Sequence, residues 1–235
     1  MKIEVWSDVA CPFCYLGKKK LEKAITAFQH GSRINIIWKS FQLNPEQVTD
    51  TQISLSEYLT REKNWTPEYT EQVNRRIEES GSEYGIIYNF NKAVPANTMK
   101  AHILLHAAKK VNKQNEVKEG LFRAYFTEGK NVDDNKVLIA IASEAGMGSG
   151  ITESVFEDEE LINEVMLDRY EATQLGIRGV PFFIFNNRYA ISGAHPDLLF
   201  TETLQKSFSE WDNSVKSKPE VIATGDSCGT DGDCR

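Results

Sequence analysis

The apolar and polar positions of this chain change period three times. KIEVWSD, over residues 2–8, has the short, β-prone pattern of a strand. Leu21, Ala24, Ile25 and Phe28 then recur at core-facing helical spacing and predict a helix from residue 11 to about residue 29. RINIIWKSFQL, over residues 33–43, returns to a strand pattern, and Asn44-Pro45 stops it. The opening is therefore a strand-helix-strand unit.

From about residue 55 to residue 175 the pattern is helical, and no strand is predicted there. Thr66-Pro67 reads as a cap followed by proline at the first helical position, Asn97-Thr98 as the cap of a helix carrying Ile103, Leu104 and Ala107, and Gly146 and Gly176 as helix ends. Strands resume at PFFIF, residues 181–185. The turn Asn186-Asn187 and RYAIS, residues 188–192, complete a predicted hairpin, after which Pro196 opens a last helix to about Trp211. Trp6 and Trp38, on the two early strands, are expected in the core. The chain closes on SKPEVIATGDSCGTDGDCR, a polar tail rich in Gly and Asp for which no regular structure is expected.

Composition narrows the function classes. The 235 residues are 40% hydrophobic and 26% charged, an ordinary globular balance with enough length for a sizeable core. A net charge of -7 argues against nucleic acid or an anionic membrane surface as the main partner. Lys2, Glu4 and Asp8 interrupt any apolar stretch that would serve as a signal-peptide core, and no transmembrane-length run occurs, so a cytoplasmic location is expected. Structural disulfides are rare in that reducing compartment. The 4 cysteines, Cys11 with Cys14 and Cys228 with Cys234, then need another purpose.

Cys11 and Cys14 fall between a strand and the first turn of a helix, with Pro12 suited to a helix start and Phe13 adding apolar surface. Unpaired backbone N–H groups and the positive helix end predict a Cys11 pKa below the free value of roughly 8.5, which makes Cys11 the nucleophile and Cys14 the thiol that resolves a mixed disulfide. The competing reading is half of a zinc site, the tail pair supplying the rest; the strand-to-helix placement favours redox chemistry, and no metal is expected. His102 and His106, one helix turn apart, read as ordinary helix histidines, because no carboxylate pattern of the HExxH kind accompanies them. Lys18, Lys19 and Lys20 read as a solvated helix face. Asp8 reads equally as a loop cap and as a proton relay to Cys14.

CPFC after a first strand, a long helical stretch and the late GVPFF together resemble the DsbA family of thiol-disulfide oxidoreductases, in particular its FrnE-like branch, over nearly the whole chain. The resemblance implies an α/β chain with a thioredoxin fold and an all-helical insertion after the second strand. Residues 1–44 and 161–215 would form the thioredoxin-like part, 45–160 the insertion and 216–235 a flexible tail. It implies that Pro181 is a cis-proline facing the redox pair, and that the backbone of Val180 pairs with an extended substrate peptide. Related isomerases and kappa-type glutathione transferases place Asn97 and Thr98 near the substrate cleft, although plain helix capping is the favoured reading of both. With Pro12 and Phe13, these are the expected substrate-binding residues.

The partners implied are protein disulfides or thiols and a reducing system such as glutathione or thioredoxin. No cofactor is expected beyond glutathione as a co-substrate. FrnE-like proteins carry a second cysteine pair near the carboxyl terminus, usually spaced one residue closer than Cys228 and Cys234, and here the expected role is an auxiliary redox couple, with a metal-picking or unused tail as the alternative. Two other functions compete. Isomerases of the 2-hydroxychromene-2-carboxylate type have serine where this chain has Cys11, and a peptide-binding holdase would use the helical part as an apolar platform without the thiols.

Overall fold

A computed structural model describes residues 1–148 and 151–216. Strand β1 (Lys2–Ser7) leads into helix α1 (Pro12–Ala27), and a turn of 3-10 helix (Gly31–Arg33) returns the chain to β2 (Asn35–Ser40). Six residues of β2 form the strand, fewer than its sequence pattern spans. Helices α2 (Leu55–Glu62), α3 (Pro67–Ser82), α4 (Met99–Lys110), α5 (Gln114–Phe122), α6 (Asn135–Glu144) and α7 (Glu159–Gln174) follow, with no strand between β2 and β3 among the described residues. Strands β3 (Phe182–Phe185) and β4 (Tyr189–Ser192) and helix α8 (Asp197–Lys216) complete the fold. Helix α8 runs beyond Trp211, the end expected from its apolar pattern. No described helix is long and apolar enough to cross a membrane.

The sheet order is β2-β1-β3-β4, with β1 parallel to β2 and antiparallel to β3. This is the thioredoxin arrangement. Asn186 and Asn187 take positive φ at the tip of the β3–β4 hairpin, which asparagine tolerates better than most residues, and Arg188 N–H closes the turn onto Phe185 O at 3.0 Å. Ile3, Val5, Phe183 and Phe185 face α1 and α8, where they pack with Leu21, Phe200 and Leu204. Trp6 lies on the opposite face with Ala172 and Ile177 behind α7, and its indole N–H donates to Asp168 O at 3.0 Å. Both early tryptophans are buried.

A second and larger core lies among the helices, and it also takes in Val9, Cys11, Cys14, Tyr15 and Leu16. Helix α1 thus spans two cores: its first turns belong to the helical one and its later turns to the sheet. Thr66 caps α3 through its hydroxyl, and Ser54 with Glu57 forms a full capping box on α2. Gly146 and Gly176, at φ 78° and 69°, stop α6 and α7 in the left-handed conformation.

Gly17 sets the distance between α1 and the strand that follows residue 180. A Cβ there would stand 2.9 Å from Phe183 Cζ and 3.1 Å from Pro181 Cγ. Both of those side chains are enclosed, so neither can retreat. Replacing Gly17 with alanine gains about 1 kcal/mol of helix propensity and loses more to overpacking. A net loss of about 1–2 kcal/mol is expected in denaturant unfolding of Gly17→Ala; an unchanged or higher midpoint would show that the contact is soft.

Candidate active site

Cys11 occupies the N-cap position of α1 with extended backbone, φ −98° and ψ 111°, and Pro12 follows as the first helical residue. The proline forgoes an N–H that would have no intrahelical partner, so the turn costs nothing there. Cys14 lies one turn in, and both thiols are free. The Val180-Pro181 bond is cis, and the Cys11 thiol lies 3.5 Å from Val180 O, close enough for a sulfur hydrogen bond. The loop before β3 and the start of α1 are therefore in contact across 169 residues of sequence separation.

The burial of the pair is unequal only by a little: Cys11 is 4% exposed and Cys14 fully enclosed. Phe13, between them, is 47% exposed and Pro12 half-buried, so the motif presents its aromatic ring rather than its sulfurs. The Tyr88 hydroxyl, arriving from the segment between α3 and α4, donates to Pro12 O at 2.6 Å. Burial holds that phenol protonated and available as a donor. Tyr88 also stacks on Phe90 and meets Tyr15 edge-on, so the helical core grips the motif directly.

The pKa of Cys11 departs from the expectation of a lowered value. Its thiol is pushed well up, first by the hydrogen bond with the Cys14 sulfur, then by burial, by charge on Cys14 and by Asp8. The Cys14 backbone N–H pulls the other way and is outweighed. The helix start does act as expected, but it acts inside an apolar core beside a second sulfur. The thiolate fraction therefore stays small at neutral pH and grows as pH rises. Removing the largest cause in Cys14→Ala should move the pH profile of Cys11 alkylation to lower pH, with about tenfold faster labelling at neutral pH; superimposable profiles would contradict the assignment.

Asp8 is almost wholly buried and serves as a structural acceptor. Its carboxylate takes Leu43 N–H at 2.7 Å and Ala10 N–H at 3.4 Å, and Oδ1 lies 3.3 Å from His102 Nε2. Burial would raise its pKa, but the bonds from His102, Leu43 and Thr98 hold it below the ordinary carboxylate range. Burial lowers His102, so the neutral ring donates its Nε2 proton to Asp8. His106, one turn on, faces Ser40, Glu164 and Asp168 instead. The two histidines share a helix but not a site, and no group of three metal-ligating side chains occurs among the described residues.

Thr98 is buried against Asp8 and lines a cleft of about 380 Å³ together with Ala10, Leu55, Tyr58 and Lys63. Asn97 spends its amide on Pro45 O and Gln47 O, and its Oδ1 accepts Met99 N–H, so it ties a loop and caps α4 in place of the Thr98 hydroxyl. No thiol lines the Thr98 cleft, which reaches Asp8 and Ala10 just before Cys11, nor the larger ones of about 420 Å³ between α2 and α3 and about 520 Å³ beside α5 and α6. Lys18 is not solvated: it is 1% exposed and bound to Glu22 and Glu119, both at 2.7 Å. Cys228 and Cys234 lie outside the described residues.

Two buried side chains escape the sequence reading. Tyr88 is indistinguishable from a core aromatic until its hydroxyl is seen on Pro12. Lys118 is buried on α5, and the available signal was its position four residues from both Gln114 and Phe122, on the face that turns inward.

Residues 2–205 match the model of the DSBA-like thioredoxin domain family. The chain is 28% identical over 200 residues to the uncharacterized protein YwbO of Bacillus subtilis, covering 83% of this chain and 92% of that one. Among solved structures, a probable DsbA oxidoreductase, SCO1869 of Streptomyces coelicolor, superposes with a TM-score of 0.85 at 30% identity, over 100% of this chain and 98% of that one. At 16% identity the fold is shared with the cytosolic disulfide reductase DsbM of Pseudomonas aeruginosa, TM-score 0.57, over 92% and 99% of the two chains. It is likewise shared with 2-hydroxychromene-2-carboxylate isomerase, TM-score 0.61, over 92% and 100%.

Proposed function

Since this chain belongs to the DsbA-like thioredoxin domain family, we propose that it is a thiol-disulfide oxidoreductase in which Cys11 is the nucleophile and Cys14 the resolving thiol. The observation that carries the reading is a free thiol pair at the β1–α1 junction whose outer sulfur lies 3.5 Å from the carbonyl of a cis Val180-Pro181 bond. In the reducing direction the Cys11 thiolate attacks a substrate disulfide, one substrate sulfur leaves with the electron pair, and a mixed disulfide remains on Cys11. Cys14 attacks Cys11 Sγ, the second substrate sulfur leaves, and the chain holds the Cys11–Cys14 disulfide. Two electrons have passed to the substrate, and a thiol such as glutathione restores the pair.

The raised Cys11 thiol favours this direction. A strong oxidant owes its potential to a stabilised thiolate in the reduced form, and here burial and the second sulfur work against that stabilisation. Reduction or isomerisation of protein disulfides in the cytoplasm suits such a pair. Phe13 offers an exposed ring, Pro12 and Val180 flank the sulfur, and the Thr98 cleft has room for a substrate side chain or for glutathione. Cys228 and Cys234 would then serve as an auxiliary couple.

Titration against glutathione redox buffers, followed by turnover of a protein disulfide with that buffer as reductant, tests the reading. A single two-electron transition of the Cys11–Cys14 pair, and turnover that depends on it, are expected. Isomerisation of a small substrate with glutathione, unaffected by loss of Cys14, would point instead to the isomerase function.

A further inference from the structure

The cleft beside Thr98 holds one enclosed polar group that the fold itself does not use. A stretch of π-helix, Arg123–Thr127, prolongs α5, and its wide turn brings three successive side chains, Ala124, Tyr125 and Phe126, into the helical core. Such turns are rare and gather at functional sites. Tyr125 is 1% exposed and lines the cleft. Its hydroxyl bonds no described residue. Other unpartnered polar atoms, such as Ser7 Oγ and Ser207 Oγ, are sealed in the core, whereas the Tyr125 hydroxyl is open to the cleft.

The other polar groups of the lining already have partners. Asp8 accepts from Leu43 N–H, Ala10 N–H, His102 and the Thr98 hydroxyl, which fills the capacity of a carboxylate. The Tyr58 hydroxyl donates to Gln47 Oε1, and the Asn44 side chain accepts Glu46 N–H at 3.1 Å. Leu55, Leu59, Pro95 and Ala96 make the walls apolar. Glu62 and Lys63, both exposed, offset each other in charge, so the field at the floor is that of Asp8.

An open O–H at the floor of an apolar cleft fits one kind of group. Burial and the Asp8 charge keep the phenol protonated, so it donates, and beside Asp8 a second carboxylate would be repelled. A neutral carbonyl on an apolar stem meets both conditions. The volume of about 380 Å³ is at the small end of ligand clefts, which run to roughly 1,000 Å³; it suits one long side chain and not a large cofactor. Ala10, on its wall, is joined to Cys11, so the cleft begins one residue from the reacting sulfur.

We propose that this cleft selects the substrate by taking a neutral amide side chain, such as glutamine, from a position close to the substrate disulfide, with the amide carbonyl accepting from the Tyr125 hydroxyl. The inference rests on the dithiol reading above and adds a residue, Tyr125, that sets specificity without touching the sulfurs.

The test uses the full chain and symmetrical peptide disulfides, each peptide carrying one cysteine with glutamine, methionine or glutamate one or two residues to either side. Each turnover converts one peptide disulfide and two glutathione thiols into two peptide thiols and one glutathione disulfide, read as NADPH consumed by added glutathione reductase. At one of these positions glutamine should raise kcat/KM about tenfold over methionine, which has similar length and no carbonyl, and glutamate should not. Tyr125→Phe should remove that preference, a loss of about tenfold for the glutamine peptide, and leave methionine peptides and Cys11 alkylation as they were. It should unfold at the parent's denaturant concentration or above, because the hydroxyl it removes has no partner in the fold. Calorimetric binding of the same peptides with serine for cysteine reads the cleft without the thiols. A glutamine preference that survives Tyr125→Phe, or none at any position in the parent chain, overturns the proposal. So does an equal slowing of every peptide in Tyr125→Phe, which would assign the phenol to glutathione. Selective binding of the glutamine peptide that is lost in Tyr125→Phe, with no turnover of any peptide by the parent chain, would uphold the cleft and overturn the dithiol reading.

Discussion

Cys11→Ser is expected to reduce disulfide exchange to the uncatalysed rate, whereas Cys14→Ser should retain one half-reaction and accumulate a covalent mixed disulfide with substrate. The asymmetry follows from position. Cys11 is at the mouth of the helix, against Val180 O, and Cys14 is fully enclosed one turn behind it. A serine hydroxyl is not ionised at neutral pH and cannot form the disulfide, so nothing replaces Cys11. Without Cys14 the mixed disulfide on Cys11 has no internal nucleophile and waits for an external thiol. Trapping followed by mass measurement checks both halves. A mixed disulfide that accumulates on Cys14 in the Cys11→Ser chain would reverse the assigned roles.

The same asymmetry shows what the sequence can and cannot carry. CPFC at a strand-to-helix junction is a local pattern, and its proline at the first helical position and its place at the start of α1 follow from neighbours within a few residues. The alternation that makes β1 a strand likewise puts Ile3 and Val5 on one face and Trp6 on the other. The hairpin after Pro181 is local too, whereas the cis bond at Pro181 and its place against Cys11 came from the family resemblance. What failed to show was settled by distant partners. Lys18 looked solvated because Glu119, which covers it, lies 101 residues away. Cys11 looked acidic because the helix start is visible in sequence, while the apolar core around it is assembled by Phe90, Leu104 and Phe122 from elsewhere in the chain. Lys118 shares an inward helix face with Gln114 and Phe122, but the second ring over its ammonium, Trp38, comes from β2 and does not show in the local pattern. Side-chain charge in this fold is decided by tertiary packing, and secondary structure by the local pattern.

Asp168→Ala is expected to cost about 3–5 kcal/mol of folding stability, the range for removing one partner of a buried ionic cluster. Asp168, on α7, accepts Ser40 N–H at 2.8 Å and the Lys39 ammonium at 2.9 Å, both from β2, and its Oδ2 stands 3.1 Å from His106 Nε2 on α4. One carboxylate thus joins the sheet to two helices. Ser40 Oγ, His106 and Glu164 also stand in line at 3.0 and 2.7 Å, the order of a nucleophile, a base and an acid. Ser40 is only 2% exposed and the same imidazole nitrogen also faces Asp168, so the array braces the fold and does not present a nucleophile. Burial pushes the Asp168 pKa up, but His106, Lys39 and the Ser40 N–H outweigh it, leaving the folded value below the unfolded one of roughly 3.9. A depressed folded value gives stability that is present above the unfolded value and lost as pH falls through the folded one. The stability difference between the parent chain and Asp168→Asn should therefore be constant above about pH 5 and shrink progressively below about pH 4. Denaturant unfolding of both chains across that range measures it. A loss under about 1 kcal/mol in Asp168→Ala, or a difference that does not change with acid, would show that β2, α4 and α7 are held by their apolar faces alone.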